Sequence, residues 1–134
     1  MNASSFSDTA RTDLEQLLRE LYAARASGDL SRLCRLFAAD AVFKISGSSD
    51  GKAIAIVAHG GEEIRSWLGV LTKTFRITHH EIASTVIDPP RAAVHWRASI
   101  HSRITGANVA TELVDMIEFR DGHIGSYFEL LVPA

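Results

Sequence analysis

Residues 112–130 read ELVDMIEFRDGHIGSYFEL, and this stretch decides what kind of fold the chain can build. Strand side chains alternate between faces, so Leu113, Asp115, Ile117 and Phe119 share one side. Three of the four are large and apolar, which turns that side towards a core. Arg120-Asp121-Gly122 interrupts the run as a three-residue hairpin loop does, with Gly122 in the left-handed position, and HIGSYFELLV resumes it. That loop faces Phe119 with His123, Asp115 with Tyr127 and Leu113 with Glu129. Asp115, Tyr127 and Glu129 then share the inner face, whereas a one-residue slip sets Asp115 against Phe128 and sends Glu129 outside.

A carboxylate on a core face is costly unless it is paired or hydrogen-bonded. Asp115 therefore points to a pocket wall. Two desolvated carboxyls a short distance apart cannot both ionise easily, so one keeps a proton at neutral pH. Such a pair can polarise a carbonyl or protonate a leaving oxygen while its partner takes a proton. The plainer alternative is a structural hydrogen bond from the Tyr127 hydroxyl to Asp115, with Glu129 at the rim.

Upstream, ITHHEIASTVI (77–87) and AAVHWRASIHSRI (92–104) also read as strands. Asp88-Pro89-Pro90 and Thr105-Gly106-Ala107-Asn108 separate them as turns. Before them the period changes. Leu14, Leu17, Leu18, Leu21 and Tyr22 form a helical stripe, with Ser7, Asp8 or Thr9 as its cap and Gly28 as its stop. Asp29 or Ser31 caps a second helix through Leu33, Cys34, Leu36 and Phe37, and AVFKI begins a strand carrying Phe43. Residues 46–53 read as a polar loop, followed by the apolar run AIAIVA. Gly60-Gly61 opens a third helix whose buried face holds Ile64, Trp67, Leu68, Leu71 and Phe75. Helices followed by long antiparallel strands argue an α+β fold in one domain over residues 1–134.

Composition excludes several classes. The net charge is −2 with no basic stripe, which argues against nucleic acid as a partner. The sequence has neither the start of a signal peptide nor an apolar run of membrane-spanning length, so no membrane partner is expected and a cytoplasmic location is the simplest reading. Cys34 is the lone cysteine, in an apolar stripe that favours a buried, inert thiol. No phosphate-binding glycine loop is present, and no cofactor is expected. His79 and His80 point to opposite faces of one strand, and His95 and His101 are too far apart along another to chelate one ion. No metal site is expected.

The stretches GDLSRLCRLFAADAVF, HGGEEIRSWLGVL and FRDGHIGSYFEL, in this order and spacing, resemble the nuclear-transport-factor-2-like superfamily. The likeness is to its branch of SnoaL-like polyketide cyclases, ketosteroid isomerase and limonene-epoxide hydrolase. The resemblance implies a cone: a strongly curved antiparallel sheet packed around the N-terminal helices, a cystatin-like α+β roll enclosing an apolar cavity. It further implies that Asp115 looks like the isomerase's oxyanion-binding aspartate, and that Tyr22 approximates its helix-one tyrosine. The isomerase's general base would fall at Ile45, which cannot act as one. Glu129 aligns with the epoxide hydrolase's acid, while Trp96 and Ala98 stand where its Arg-Asp pair is expected.

The expected site is therefore Asp115 with Glu129 and Tyr127, in an isomerase, cyclase or hydratase-type enzyme. Tyr22, Phe37, Phe43, His59, Trp67 and Trp96 would line the ligand, an apolar molecule carrying a carbonyl or hydroxyl. The alternative is a noncatalytic ligand-binding or protein-interaction domain of the same fold. A homodimer is expected through the outer sheet face, where Val114 and Met116 lie between Glu112 and Glu118.

Overall fold

The computed structural model describes residues 3–49 and 51–133. Helix α1 (Ala3–Ser27) turns at Gly28, whose positive φ suits glycine, into the short helix α2 (Leu30–Arg35). The Asp29 side chain caps α2 by accepting from the Arg32 backbone N–H at 3.1 Å. Strands β1 (Phe37–Ser49) and β2 (Lys52–His59) form a hairpin, and helix α3 (Gly60–Thr74) follows. Then come β3 (Phe75–Asp88), β4 (Arg91–Ser102), β5 (Asn108–Arg120) and β6 (His123–Pro133).

Three local expectations change. Helix α1 begins at Ala3, upstream of the three expected capping residues. Phe37 starts a strand rather than ending a helix. The polar 46–53 stretch is the paired tip of the β1–β2 hairpin, with Ser49 opposite Lys52; composition reads polarity, and an exposed hairpin tip is as polar as a loop.

The sheet differs more deeply from the expected cone. It is a single open sheet of order β2-β1-β6-β5-β4-β3, neither strongly curled nor closed. It is also mixed, because β1 and β6 run parallel while every other neighbouring pair is antiparallel. The physical reason is strand order. Successive hairpins carry β3, β4 and β5 inward from one edge, and β6 fills the centre beside β1, the strand laid down first.

The β5–β6 hairpin also departs from the expected register. Asp121 and Gly122, both at positive φ, make a two-residue loop that sets Arg120 opposite His123. Continued without interruption, this pairing would place Asp115 opposite Phe128 and turn Glu129 outward. A bulge between Ile124 and Ser126 adds one residue, so Ile117 faces Tyr127, Asp115 faces Glu129 and Leu113 faces Leu131. Gly125 sits in the bulge directly under Arg120, 3.4 Å from its guanidinium to a hypothetical Cβ. The inner face is the expected one, but Asp115 and Glu129 are direct partners rather than diagonal neighbours.

One row of paired positions now crosses five strands: Ile56, Ile45, Glu129, Asp115 and Val94. Two carboxyls thus lie side by side in a row otherwise aliphatic. The next row runs Ile54, Gly47, Leu131, Leu113 and Trp96. There Gly47 has φ 137°, and a Cβ would lie 1.9 Å from the Leu131 carbonyl oxygen. Because backbone cannot move aside as a side chain does, Gly47→Ala should destabilise by about 2–3 kcal/mol, through strain and a lost β1–β6 hydrogen bond. Urea denaturation of the variant checks this.

Leu14, Leu18, Leu21 and Tyr22 of α1 are buried, as are Ile64 and Leu68 of α3. Together with Phe43, Val94, Trp96, Leu113, Ile117 and Tyr127 of the sheet they belong to one core cluster. Among the described residues no helix is long and apolar enough to cross a membrane.

Candidate functional site

The α1 stripe does not end at Tyr22. Arg25 follows one turn later, three residues from Tyr22 and four from Leu21, and so faces the sheet with them. Its guanidinium meets Glu129, with Nη1 2.7 Å from Oε2 and Nη2 3.3 Å from Oε1. Nη1 also donates to the Tyr127 hydroxyl at 2.7 Å, and the guanidinium carbon lies 5.1 Å from the centre of the Trp96 ring. The sequence places Tyr22 of α1 at the site but misses Arg25, one turn further along the same helix. The available signal was a cation placed on the apolar stripe of a helix, which demands a buried carboxylate opposite.

Asp115 lies behind this ion pair and has no exposed surface. Its Oδ2 accepts from the Tyr22 hydroxyl at 2.6 Å, the Tyr127 hydroxyl at 2.6 Å and the Trp96 indole N–H at 2.9 Å. Its Oδ1 has no donor among the described residues. The Tyr127 hydroxyl is also 3.0 Å from Glu129 Oε2, so it links the two carboxyls. Tyr22 and Trp96 pack edge to face at 5.3 Å, fixing both donors.

The two carboxyls titrate in opposite directions. Burial drives Asp115 well above the usual carboxylate range, and the charge of Glu129 and a hydrogen bond to it push the same way. Burial also raises Glu129, but the Arg25 charge and hydrogen bonds from Asp115, Arg25 and Tyr127 outweigh it and hold Glu129 below its ordinary value. Of the two, Asp115 is therefore the group that favours the proton and Glu129 the one that favours the charge. Burial raises Tyr127 too, keeping its hydroxyl protonated as a donor.

A cavity of about 580 Å³ opens beside this network. Its walls include Phe43, Ile45, Ile56, Leu71, Ile77 and Ile100, and Arg25 and Glu129 supply its buried polar end. Of the residues expected around a ligand, Phe43 and Glu129 line it. Tyr22, Trp96, Tyr127 and Asp115 are buried behind the ion pair, and Phe37 packs against Phe43 and Tyr127 with ring centres 6.1 Å from each. Two placements are corrected. Trp67 lies on the exposed side of α3, 38% accessible, because Ile64 and Leu68 occupy its inward face. His59 is exposed at the start of α3, where its backbone N–H donates to Glu63 at 3.2 Å, and it is not among the residues that line the cavity. Among the described residues no group of three His, Cys, Asp or Glu is placed to hold a metal ion.

The model of the SnoaL-like domain matches residues 18–127, which include α1 from Leu18, most of the cavity walls and the Asp115 strand, and end two residues before Glu129. The chain belongs to the SnoaL-like family. This SnoaL-like chain shares its fold with many solved structures. An NTF2-like protein from Burkholderia xenovorans LB400 is 21% identical, with 90% of each chain covered and a TM-score of 0.74. A protein of ketosteroid isomerase-like fold from Catenulispora acidiphila, solved in complex with trimethylamine, is 18% identical over 84% of this chain and 82% of its own, TM-score 0.70. An LEH-like epoxide hydrolase from M. tuberculosis is 13% identical over 90% and 84%, TM-score 0.71. No curated protein matches.

Proposed function

We propose that the cavity binds an apolar small molecule whose carbonyl or hydroxyl oxygen is held by the Arg25–Glu129 pair at the inner end. One observation carries this reading: a ligand-sized, largely aliphatic space whose buried polar groups are confined to one end. Arg25 keeps donor capacity beyond its bonds to Glu129 and Tyr127. Glu129 is the ionised acceptor facing the ligand. Asp115 has no surface on the cavity, so its role here is to hold both partners in position.

A second reading adds chemistry. Asp115 stores a proton; when its acid donates to the Tyr127 oxygen and the Tyr127 hydroxyl turns its own proton to Glu129, a proton arrives at Glu129, and such a chain supports acid–base steps of the isomerase, cyclase or hydratase kind. In that scheme Glu129 meets the substrate, while Asp115 and Tyr127 supply it. The exposed Met116, Leu130 and Val132 of the outer sheet face support the reading of a homodimer, which sedimentation velocity tests.

The binding claim is tested with 2-undecanone, a neutral ketone of suitable length, by calorimetry and thermal shift. Ile100→Trp fills the cavity and should weaken binding at least tenfold, with the ligand-induced rise in Tm lost accordingly. A wild-type protein that ignores the ketone at saturation, or a variant that binds it as well, overturns the reading.

A further inference from the structure

The cavity is lined by four cationic side chains, Arg25, Lys73, Arg76 and Arg103, against a single carboxylate, Glu129. Arg25 and Glu129 neutralise each other at the inner end. The other three stand together where α3 passes into β3 and where β4 turns towards β5, and all three are exposed. They mark the mouth.

Arg103 is partly committed. Its Nη1 donates to the Thr72 carbonyl at 2.7 Å and to the Lys73 carbonyl at 3.3 Å, which offsets the negative end of α3. Lys73 and Arg76 make no ion pair with any described carboxylate. Arg76 pairs across the ladder with His101, and that ring is hydrogen-bonded to Asn108 at 3.0 Å. The chain as a whole carries a net charge of −2, yet the entrance to its cavity is positive. Clefts lined by one sign of charge over low-dielectric walls concentrate ligands of the opposite sign.

We infer that the ligand is an amphiphile: an apolar body that fills the cavity and an anionic group, of carboxylate type, that stays at the mouth between Lys73 and Arg76. The inference rests on the cavity being the ligand site and adds the ligand's charge and orientation. The anion lies outward because the inner end's cation, Arg25, is already paired with Glu129, whereas Lys73 and Arg76 at the mouth have no ion pair with a described carboxylate. The aliphatic walls set by Ile45, Ile56, Leu71, Ile77 and Ile100 accept the body.

Decanoate, decan-1-ol and decylammonium share one chain and differ in head charge, so calorimetric titration with each isolates the contribution of the mouth. Decanoate should bind roughly tenfold tighter than the alcohol, and decylammonium weaker still, with the preference shrinking as salt rises. In the double variant Lys73→Glu/Arg76→Glu, at exposed positions where folding is little affected, the order should invert. The single variants Lys73→Gln and Arg76→Gln should fall between. Equal binding of acid and alcohol overturns the inference and leaves the cavity reading standing. A carboxylate preference that survives the double variant overturns it too, and moves the anion to Arg25. If neither decanoate nor decanol binds, the cavity reading falls and the inference with it.

Discussion

Replacing Arg25 with methionine should lower the Tm by about 10–15 °C, a loss of about 3–5 kcal/mol for a chain of this size. Methionine keeps most of the side-chain volume but leaves Glu129, 1% exposed, without the cation that holds it ionised. A buried carboxylate robbed of its partner must either pay the desolvation cost or take up a proton. Adding Glu129→Gln to the Arg25→Met chain removes the stranded charge and should recover part of the loss. The pH dependence fixes the sign. Glu129 has a lowered folded-state value, so its contribution is present above the unfolded carboxylate range and disappears as pH falls through the folded value. The gap between wild type and Arg25→Met should therefore be widest near neutrality and narrow below about pH 4, where Glu129 is protonated in the unfolded chain as well. Urea melts of the three proteins across pH measure it. A cost under about 1 kcal/mol would mean that solvent already screens the pair.

Much of this arrangement was legible in the sequence because it is local. The alternation Leu113-Asp115-Ile117-Phe119 identifies an inner face with a carboxylate on it, and the core stripe of α1 follows from Leu14, Leu18, Leu21 and Tyr22. What failed was non-local. Strand order carries no sequence signal, so the parallel β1–β6 pair could not be read, and the strongly curved antiparallel cone that the resemblance implies does not form. The hairpin register was wrong by two residues, because a two-residue loop at Asp121-Gly122 and a bulge at Gly125 together mimic the parity of a three-residue loop. The face assignments survived only for that reason. Trp67 was placed inward because it follows Ile64 at helical spacing, but Ile64 and Leu68 already fill that side of α3. Arg25 was missed because a lone arginine near a helix end reads as a solvated cap. Its role becomes visible only when the carboxylates of β5 and β6 are brought against α1.

The second large effect concerns Asp115, where two substitutions of similar size should behave very differently. Asp115→Ala withdraws the acceptor from three buried donors, the Tyr22 and Tyr127 hydroxyls and the Trp96 indole N–H, and should cost about 3–5 kcal/mol. Asp115→Asn should cost about 1–2 kcal/mol at neutral pH, since its carbonyl oxygen can take those three bonds while its amide replaces Oδ1, which meets no partner among the described residues. A charged Asp115 would make the asparagine variant costly as well, because losing a buried, hydrogen-bonded charge is expensive. The pH profile separates the cases further. Asp115 has a raised folded-state value, so its stabilising contribution is complete below the unfolded value near pH 4 and is lost as pH rises towards the folded one. Asparagine does not titrate. The variant should therefore gain on wild type as pH rises from about 4, by at most about 1.4 kcal/mol per pH unit. Equilibrium unfolding of both proteins over that range reads the difference directly. A variant that instead loses ground with rising pH would show Asp115 ionised in the folded chain, and the proton held behind Glu129 would then have to sit on another group.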